Sequence, residues 1–188
     1  MLLWTQENYI RYMKPPFNTF KVAKMSKYLP FLFLLIFACS QKNDTKESQH
    51  SETVLSYVES VWNKKELNNL DSFFIPKFTR NENNIETATD NVELTADVNV
   101  IFTAFPDLSV TLEYIVPKDN MVFIHWDLTG TNTGVYGDYP PTGNKVKISG
   151  TTRFDFNESG KIISEKVVYN ELSLLQQLGY TLSPPNFE

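Results

Sequence analysis

One cysteine and two histidines are all that this chain of 188 residues offers to thiol or soft-metal chemistry. No CxxC or HxxxH spacing accompanies Cys39, His50 or His125, so neither a disulfide nor a transition-metal site is expected. With seven glycines in the whole chain, no glycine-rich phosphate loop follows a strand-like run. A GxSxG stretch is also missing, and His125 is the only plausible base for a serine hydrolase. Positive charge is scarce where it would matter. The first 39 residues hold five cations (Arg11, Lys14, Lys21, Lys24, Lys27) against Glu7, which leaves 12 cations, 21 anions and a net charge of -9 for residues 40–188. Nucleic-acid binding through a basic face is therefore not expected.

The apolar run from Tyr28 to Ala38, preceded by Lys21, Lys24 and Lys27, is too short for a membrane span but suits the core of a secretory leader. Ile36, Phe37 and Ala38 before Cys39 resemble the bacterial lipoprotein processing box. That resemblance implies cleavage before Cys39, lipid on its new N-terminus, and a cell-envelope location held to the membrane without a span. Met25 is then a more natural start, with residues 1–24 an upstream extension and 25–38 the signal peptide. The stretch from Ser40 to Glu52 has no large apolar residue, so 39–52 reads as a flexible tether.

One domain is expected over residues 53–180, with 181–188 as a tail. Val54, Leu55, Val58, Val61 and Trp62 fall at helical spacing, and Leu67, Leu70, Phe73 and Phe74 continue after a break near Asn63 to Lys65. Leu94, Val98, Ile101, Phe102 and Phe105 share a third helical face, ended by Pro106. The period then becomes two. Strands are expected over 108–116, 121–130, 146–156 and 161–169, with turns at "PKDN" and "NESG". The connection "TNTGVYGDYPPTGN" suits a loop over a cavity mouth. Three helices followed by an antiparallel meander predict an α+β domain with helices on one face of a curved sheet.

Such a fold can enclose an apolar pocket with a few polar groups aimed inward. A buried carboxylate there is pushed toward neutrality and can take a proton beside a carbonyl while a donor steadies the enolate oxygen. His125 carries an imidazole, a side chain able to give or take a proton, and Asp127 shares its strand face by the period of two. Trp62 and Tyr57 on the first helix are either core or substrate platform, and Tyr136 and Tyr139 are placed to line the loop mouth.

Four ordered segments carry a family resemblance: "YVESVWNKKELNNLDSFF", "FPDLSVTLE", "GTNTGVYGDYPPTGNKVKISG" and "ESGKIISEKVVYNELSLLQQLG". From about Val54 to Gly179 the chain resembles the SnoaL-like polyketide cyclases, often called ester cyclases, within the nuclear transport factor 2-like superfamily. The resemblance implies a conical fold with a pocket, frequent dimerisation through the sheet, and cofactor-free ring closure of a polyketide ester by an acidic acid/base residue. It also implies that Arg80 lies near the pocket, and that His125 stands where relatives carry a basic residue. In the final strand the match falls on Glu165, Lys166 and Asn170, with Lys166 where an aromatic wall residue is usual and Asn170 where an ionisable Asp is usual. Asparagine cannot take up a proton. Two readings follow: a lipid-anchored protein acting on a small apolar carbonyl or ester compound with His125, Asp127 and Asn170 as its catalytic set and Arg80, Trp62 and Tyr136 holding the ligand, or a non-catalytic binding or assembly module.

Overall fold

A computed structural model of the chain describes residues 45–184. The expected leader, Cys39 and the first part of the tether lie outside the described residues, as do residues 185–188. Among the described residues no helix is long and apolar enough to cross a membrane.

Helix α1 occupies residues 45–57 and widens into a π-helical turn, Val58–Asn63. Val54, Tyr57, Val58 and Val61 are its buried stripe. Asn63 then fastens the helix end to the sheet, its amide donating to the Val110 carbonyl (3.1 Å) and its oxygen accepting from the Val110 N–H (2.8 Å). The helical residues begin inside the stretch expected to be a tether. His50 is 1% exposed and stacks on Phe156, ring centroids 4.2 Å apart, so residues 45–52 belong to the folded domain. A polar sequence hid this because the docking rests on that ring and on Glu47, which accepts from the Asp119 N–H at 2.7 Å, rather than on an aliphatic stripe.

After a 3-10 turn, Leu67–Ser72, strands β1 (Phe74–Glu82) and β2 (Ile85–Ala88) form a hairpin. This hairpin was not expected, although Asn83 and Asn84, with φ of 49° and 69°, are a common chemistry for such turns. Helix α2, Asn91–Ala104, is capped by Asp90, which accepts from the N–H groups of Val92 and Glu93. Strands β3 (Ser109–Lys118), β4 (Met121–Thr131), β5 (Lys145–Phe156) and β6 (Ile162–Tyr169) follow as a meander, and α3 is Glu171–Gln177.

The sheet order is β2-β1-β6-β5-β4-β3. All neighbours are antiparallel except β1 and β6, which run parallel, so the curved sheet is mixed rather than purely antiparallel. That parallel pair places Arg80 opposite Glu165. Alternation along β5 buries Val146, Ile148, Thr152, Phe154 and Phe156 on the inner face. Gly150 in that row has no side chain because Trp126 of β4 lies across it: an added Cβ would sit 2.3 Å from the indole.

Candidate functional site

Between the inner face of the sheet and the helices lies a cavity of about 690 Å³, its open mouth included. Tyr57, Val58 and Trp62 reach it from α1 and the π-turn, Ile101 from α2, and Leu174 from α3. Val58 and Trp62, four residues apart in the π-helical turn, both line the cavity. Ile124, Trp126 and Leu128 of β4 and Ile148 and Phe154 of β5 form an apolar wall. The Trp126 indole N–H is satisfied by Thr152 Oγ1 at 2.9 Å.

One end of this wall is charged. Arg80, 2% exposed, points its Nε at Asp97 Oδ2 (3.1 Å) and its Nη2 at Glu82 Oε2 (2.9 Å), while Nη1 lies 3.0 Å from Glu165 Oε1. The last contact is close enough for an ion pair, but the Nη1 N–H bonds do not aim at the carboxylate as a hydrogen bond requires. The guanidinium also lies over Trp62, 5.9 Å from the ring centroid. Glu82 takes a further hydrogen bond from the Tyr169 hydroxyl (2.8 Å), and the Tyr57 hydroxyl stands 3.4 Å from Glu165 Oε2.

Burial pushes the Glu165 carboxyl up from its ordinary value, and the Arg80 charge opposes that rise without cancelling it. The Arg80 guanidinium is penalised by burial but held charged by Glu165 and by the acids around it. Burial first, and the Glu165 charge next, keep the Tyr57 hydroxyl protonated. The site thus combines a desolvated carboxyl, a fixed cation and a phenolic donor at one end of an apolar chamber.

Two of the residues expected to hold a ligand, Arg80 and Trp62, line this cavity. Tyr136 does not line it but packs on Phe105, which does, at 6.0 Å between ring centroids. The three residues expected to be catalytic lie elsewhere. His125 and Asp127 alternate with Ile124, Trp126 and Leu128, so when the latter face inward the former face out. His125 stacks on Tyr114 (5.2 Å) and reaches Glu113 (3.3 Å). Asp127 accepts from Ser149 Oγ at 2.5 Å and pairs with Lys147 at 3.2 Å, contacts that hold its carboxyl below the usual range. Asn170 is exposed at the start of α3, where its oxygen accepts from the Ser173 N–H (2.9 Å) and caps the helix that delivers Leu174. Lys166 is likewise exposed on the outer face.

Glu165 is the residue that the catalytic reading passed over. A signal for it is present: in "KIISEKVVY" it alternates by two with Ile163, Val167 and Tyr169, so an acid occupies a row otherwise apolar.

Residues 52–178 match the profile of the SnoaL-like polyketide cyclases. Among solved structures, a protein from Jannaschia sp. CCS1 assigned as a SnoaL-like polyketide cyclase is 23% identical, with a TM-score of 0.65 over 73% of this chain and 94% of its own. AclR from Streptomyces galilaeus, assigned as a hydroxylase, is 22% identical with a TM-score of 0.64 over 73% and 85%. IdmH from Streptomyces antibioticus, assigned as a polyketide cyclase, is 20% identical with a TM-score of 0.61 over 70% and 99%. No curated protein matches the chain. At these identities the solved structures speak for the fold, and cyclase and hydroxylase assignments on one fold leave the chemistry to the site.

Proposed function

The chain belongs to the SnoaL-like polyketide cyclase family, and from that premise we propose that its cavity binds a small, largely apolar carbonyl or ester compound, with Glu165 as the proton-transferring group. The observation that carries this is a carboxyl 2% exposed on the wall of an apolar chamber, beside a phenol kept protonated. In its ionised form Glu165 takes a proton from the carbon next to the ligand's carbonyl. The carbon-hydrogen electron pair moves into the enolate, whose oxygen accepts a hydrogen bond from Tyr57, and the enolate carbon then attacks an electrophilic centre or is reprotonated by Glu165. No cofactor enters this scheme.

Deuterium exchange at the α-carbon of aryl ketones and esters, followed by NMR, tests the reading. Exchange above the buffer rate that disappears in Glu165→Gln supports it, whereas wild-type exchange surviving in Glu165→Gln overturns the role of Glu165. Because the base must be ionised, the rate should rise with pH through a midpoint above the ordinary carboxylate value. The non-catalytic reading is favoured by the 3.0 Å contact between Arg80 Nη1 and Glu165, which holds the carboxylate in a pair. It predicts ligand binding with no exchange at any pH.

Export and lipid attachment at Cys39 form part of the same proposal, supported by the lysines before the run Tyr28 to Ala38. Labelling with a fatty acid analogue that is lost in Cys39→Ser, with release from the membrane fraction, is the expected result. We also propose pairing of two copies through the outer sheet face, where Tyr114, Val116, Phe123 and Val168 are 40% to 54% exposed. Sedimentation of Phe123→Glu beside wild type, with monomer expected for the variant, checks it.

A further inference from the structure

The Arg80 guanidinium is used on one edge and idle on the other. Its Nε donates to Asp97 Oδ2 at 3.1 Å and its Nη2 to Glu82 Oε2 at 2.9 Å. Those two acids, one from α2 and one from β1, hold one edge of a planar group whose five N–H bonds are rigidly related, so the orientation of Nη1 is fixed as well. Nη1 lies 3.0 Å from Glu165 Oε1, yet it is buried without a hydrogen-bond partner among the described residues. A buried donor left without an acceptor carries a penalty that folded proteins rarely accept. Arg80 lines the cavity, and the acceptor its Nη1 lacks is therefore to be sought on the ligand.

The Tyr57 hydroxyl stands at the other oxygen of the same carboxyl, 3.4 Å from Glu165 Oε2. An oxygen lodged beside Glu165 thus meets a cation on one side and a phenol on the other. Proton abstraction by Glu165 moves a negative charge from the carboxylate to that oxygen. In a chamber whose walls screen poorly such a shift is costly unless one cation serves both ends. Arg80 is close enough to Glu165 to steady the ionised base, and its unbonded N–H is left over for the charge once it has moved.

We propose that Arg80 is a catalytic residue whose Nη1 N–H receives the charge that leaves Glu165, donating to the ligand's oxyanion as the enolate forms. The carbon-hydrogen bond breaks and its proton goes to Glu165. Its electron pair becomes the enolate double bond and the carbonyl π pair settles on oxygen, so the summed charge of cluster and ligand is unchanged. Asp97 and Glu82 are positioning residues here, because they set the plane of the fork and keep it from turning fully onto Glu165. The inference deepens the reading of Glu165 as the proton-transferring group and rests on it.

The test takes the full chain with its arginines labelled with nitrogen-15. There are three, Arg11, Arg80 and Arg153, so the guanidinium spectrum is sparse. The probe is 4-nitrophenolate at pH 8, a coloured anion whose charge is centred on oxygen as in an enolate. In Glu165→Gln, which stands in for the protonated carboxyl, the anion should bind at least tenfold more tightly than in wild type, and its arrival should move the Arg80 Nη1 proton downfield. An Nη1 proton that stays in place at saturation, or an anion that binds neither protein, overturns the role of Arg80; should the variant not fold, the wild-type spectrum decides. Arg80→Lys keeps the charge without the fork. Its exchange of α-protons should fall about a hundredfold in kcat with KM little changed, and a loss confined to KM also overturns the proposal. The two readings fail separately. Exchange that is lost in Glu165→Gln beside an unmoved Nη1 proton leaves Glu165 as the base without Arg80. Capture of the anion at Nη1 by a protein that exchanges no proton refutes the base, and with it the catalytic role, and leaves only an anion-binding donor.

Discussion

The two faces of the sheet carry similar residue types to opposite ends. On the inner face Arg80 and Glu165 meet at 3.0 Å, each side chain 3% exposed, within apolar walls. On the outer face His125 reaches Glu113 at 3.3 Å with side chains 25% and 68% exposed, and Lys147 reaches Asp127 at 3.2 Å with 67% and 33%. An ion pair's distance says little about its consequences. What differs is the solvent around it: outside, water screens each charge and stands in for a missing partner, whereas inside, a stranded charge has nothing to replace it.

The largest expected effect comes from breaking the inner pair. Arg80→Met leaves Glu165, Glu82 and Asp97 without their shared cation, and should cost about 3–5 kcal/mol in urea unfolding, as removal of one partner of a buried pair does. Adding Glu165→Leu to it should recover a good part of that loss. His125→Ala on the outer face should cost less than about 1 kcal/mol. Equal losses from the two faces would refute the distinction.

Next comes the wall itself. A methyl group at position 150 would collide with the Trp126 indole, so Gly150→Ala should destabilise by about 1–3 kcal/mol through overpacking. It should also weaken binding of an uncharged aryl ester, because Trp126 lines the cavity. Outer-face Thr151→Ala, one residue along, should leave binding unchanged.

A pH effect belongs to a third environment, the α1 docking site. Burial, with the Lys46 charge adding to it, pushes the His50 imidazole below its ordinary value of 6.5, while a backbone contact at Asp119 and the Glu47 charge oppose the shift. The unfolded chain therefore binds the proton more readily than the folded one. Stability should be complete above pH 6.5 and fall as the pH drops below it. In His50→Phe, which keeps the stacking on Phe156, that part of the acid limb should vanish from thermal melts recorded between pH 7.5 and 5.

Much of the fold is legible in the sequence because alternation is strong where one face is buried. The meander from β3 to β6 and helix α2, Asn91–Ala104, follow directly from apolar spacing. The β1–β2 hairpin is hard to read because Phe74, Phe78 and Arg80 form its buried row, and an arginine breaks an apolar pattern. The same reason hides the site. A period of two says that His125 and Asp127 share a face, but the hydrophobic neighbours Ile124, Trp126 and Leu128 decide which face is inside. The pairing of Arg80 with Glu165 resists prediction because it joins parallel strands at positions 85 residues apart in the chain. No local pattern encodes that meeting.

Asn170 offers the finest division between site and scaffold. Its place in the last strand-to-helix junction marks it as a site residue, yet the side chain is exposed and spends its oxygen on the Ser173 N–H. A cap has two requirements, an acceptor and the right backbone, and aspartate supplies both with an added charge that suits a helix start. Asn170→Asp should therefore leave stability within about 0.5 kcal/mol of wild type, whereas Asn170→Ala should lose about 1 kcal/mol. Neither should alter the pH midpoint of proton exchange if Glu165 alone sets it. A new ionisation appearing in the rate profile of Asn170→Asp would mean that the cap turns toward the ligand during turnover, and the boundary between the site and its frame would have to be drawn one residue further along the chain.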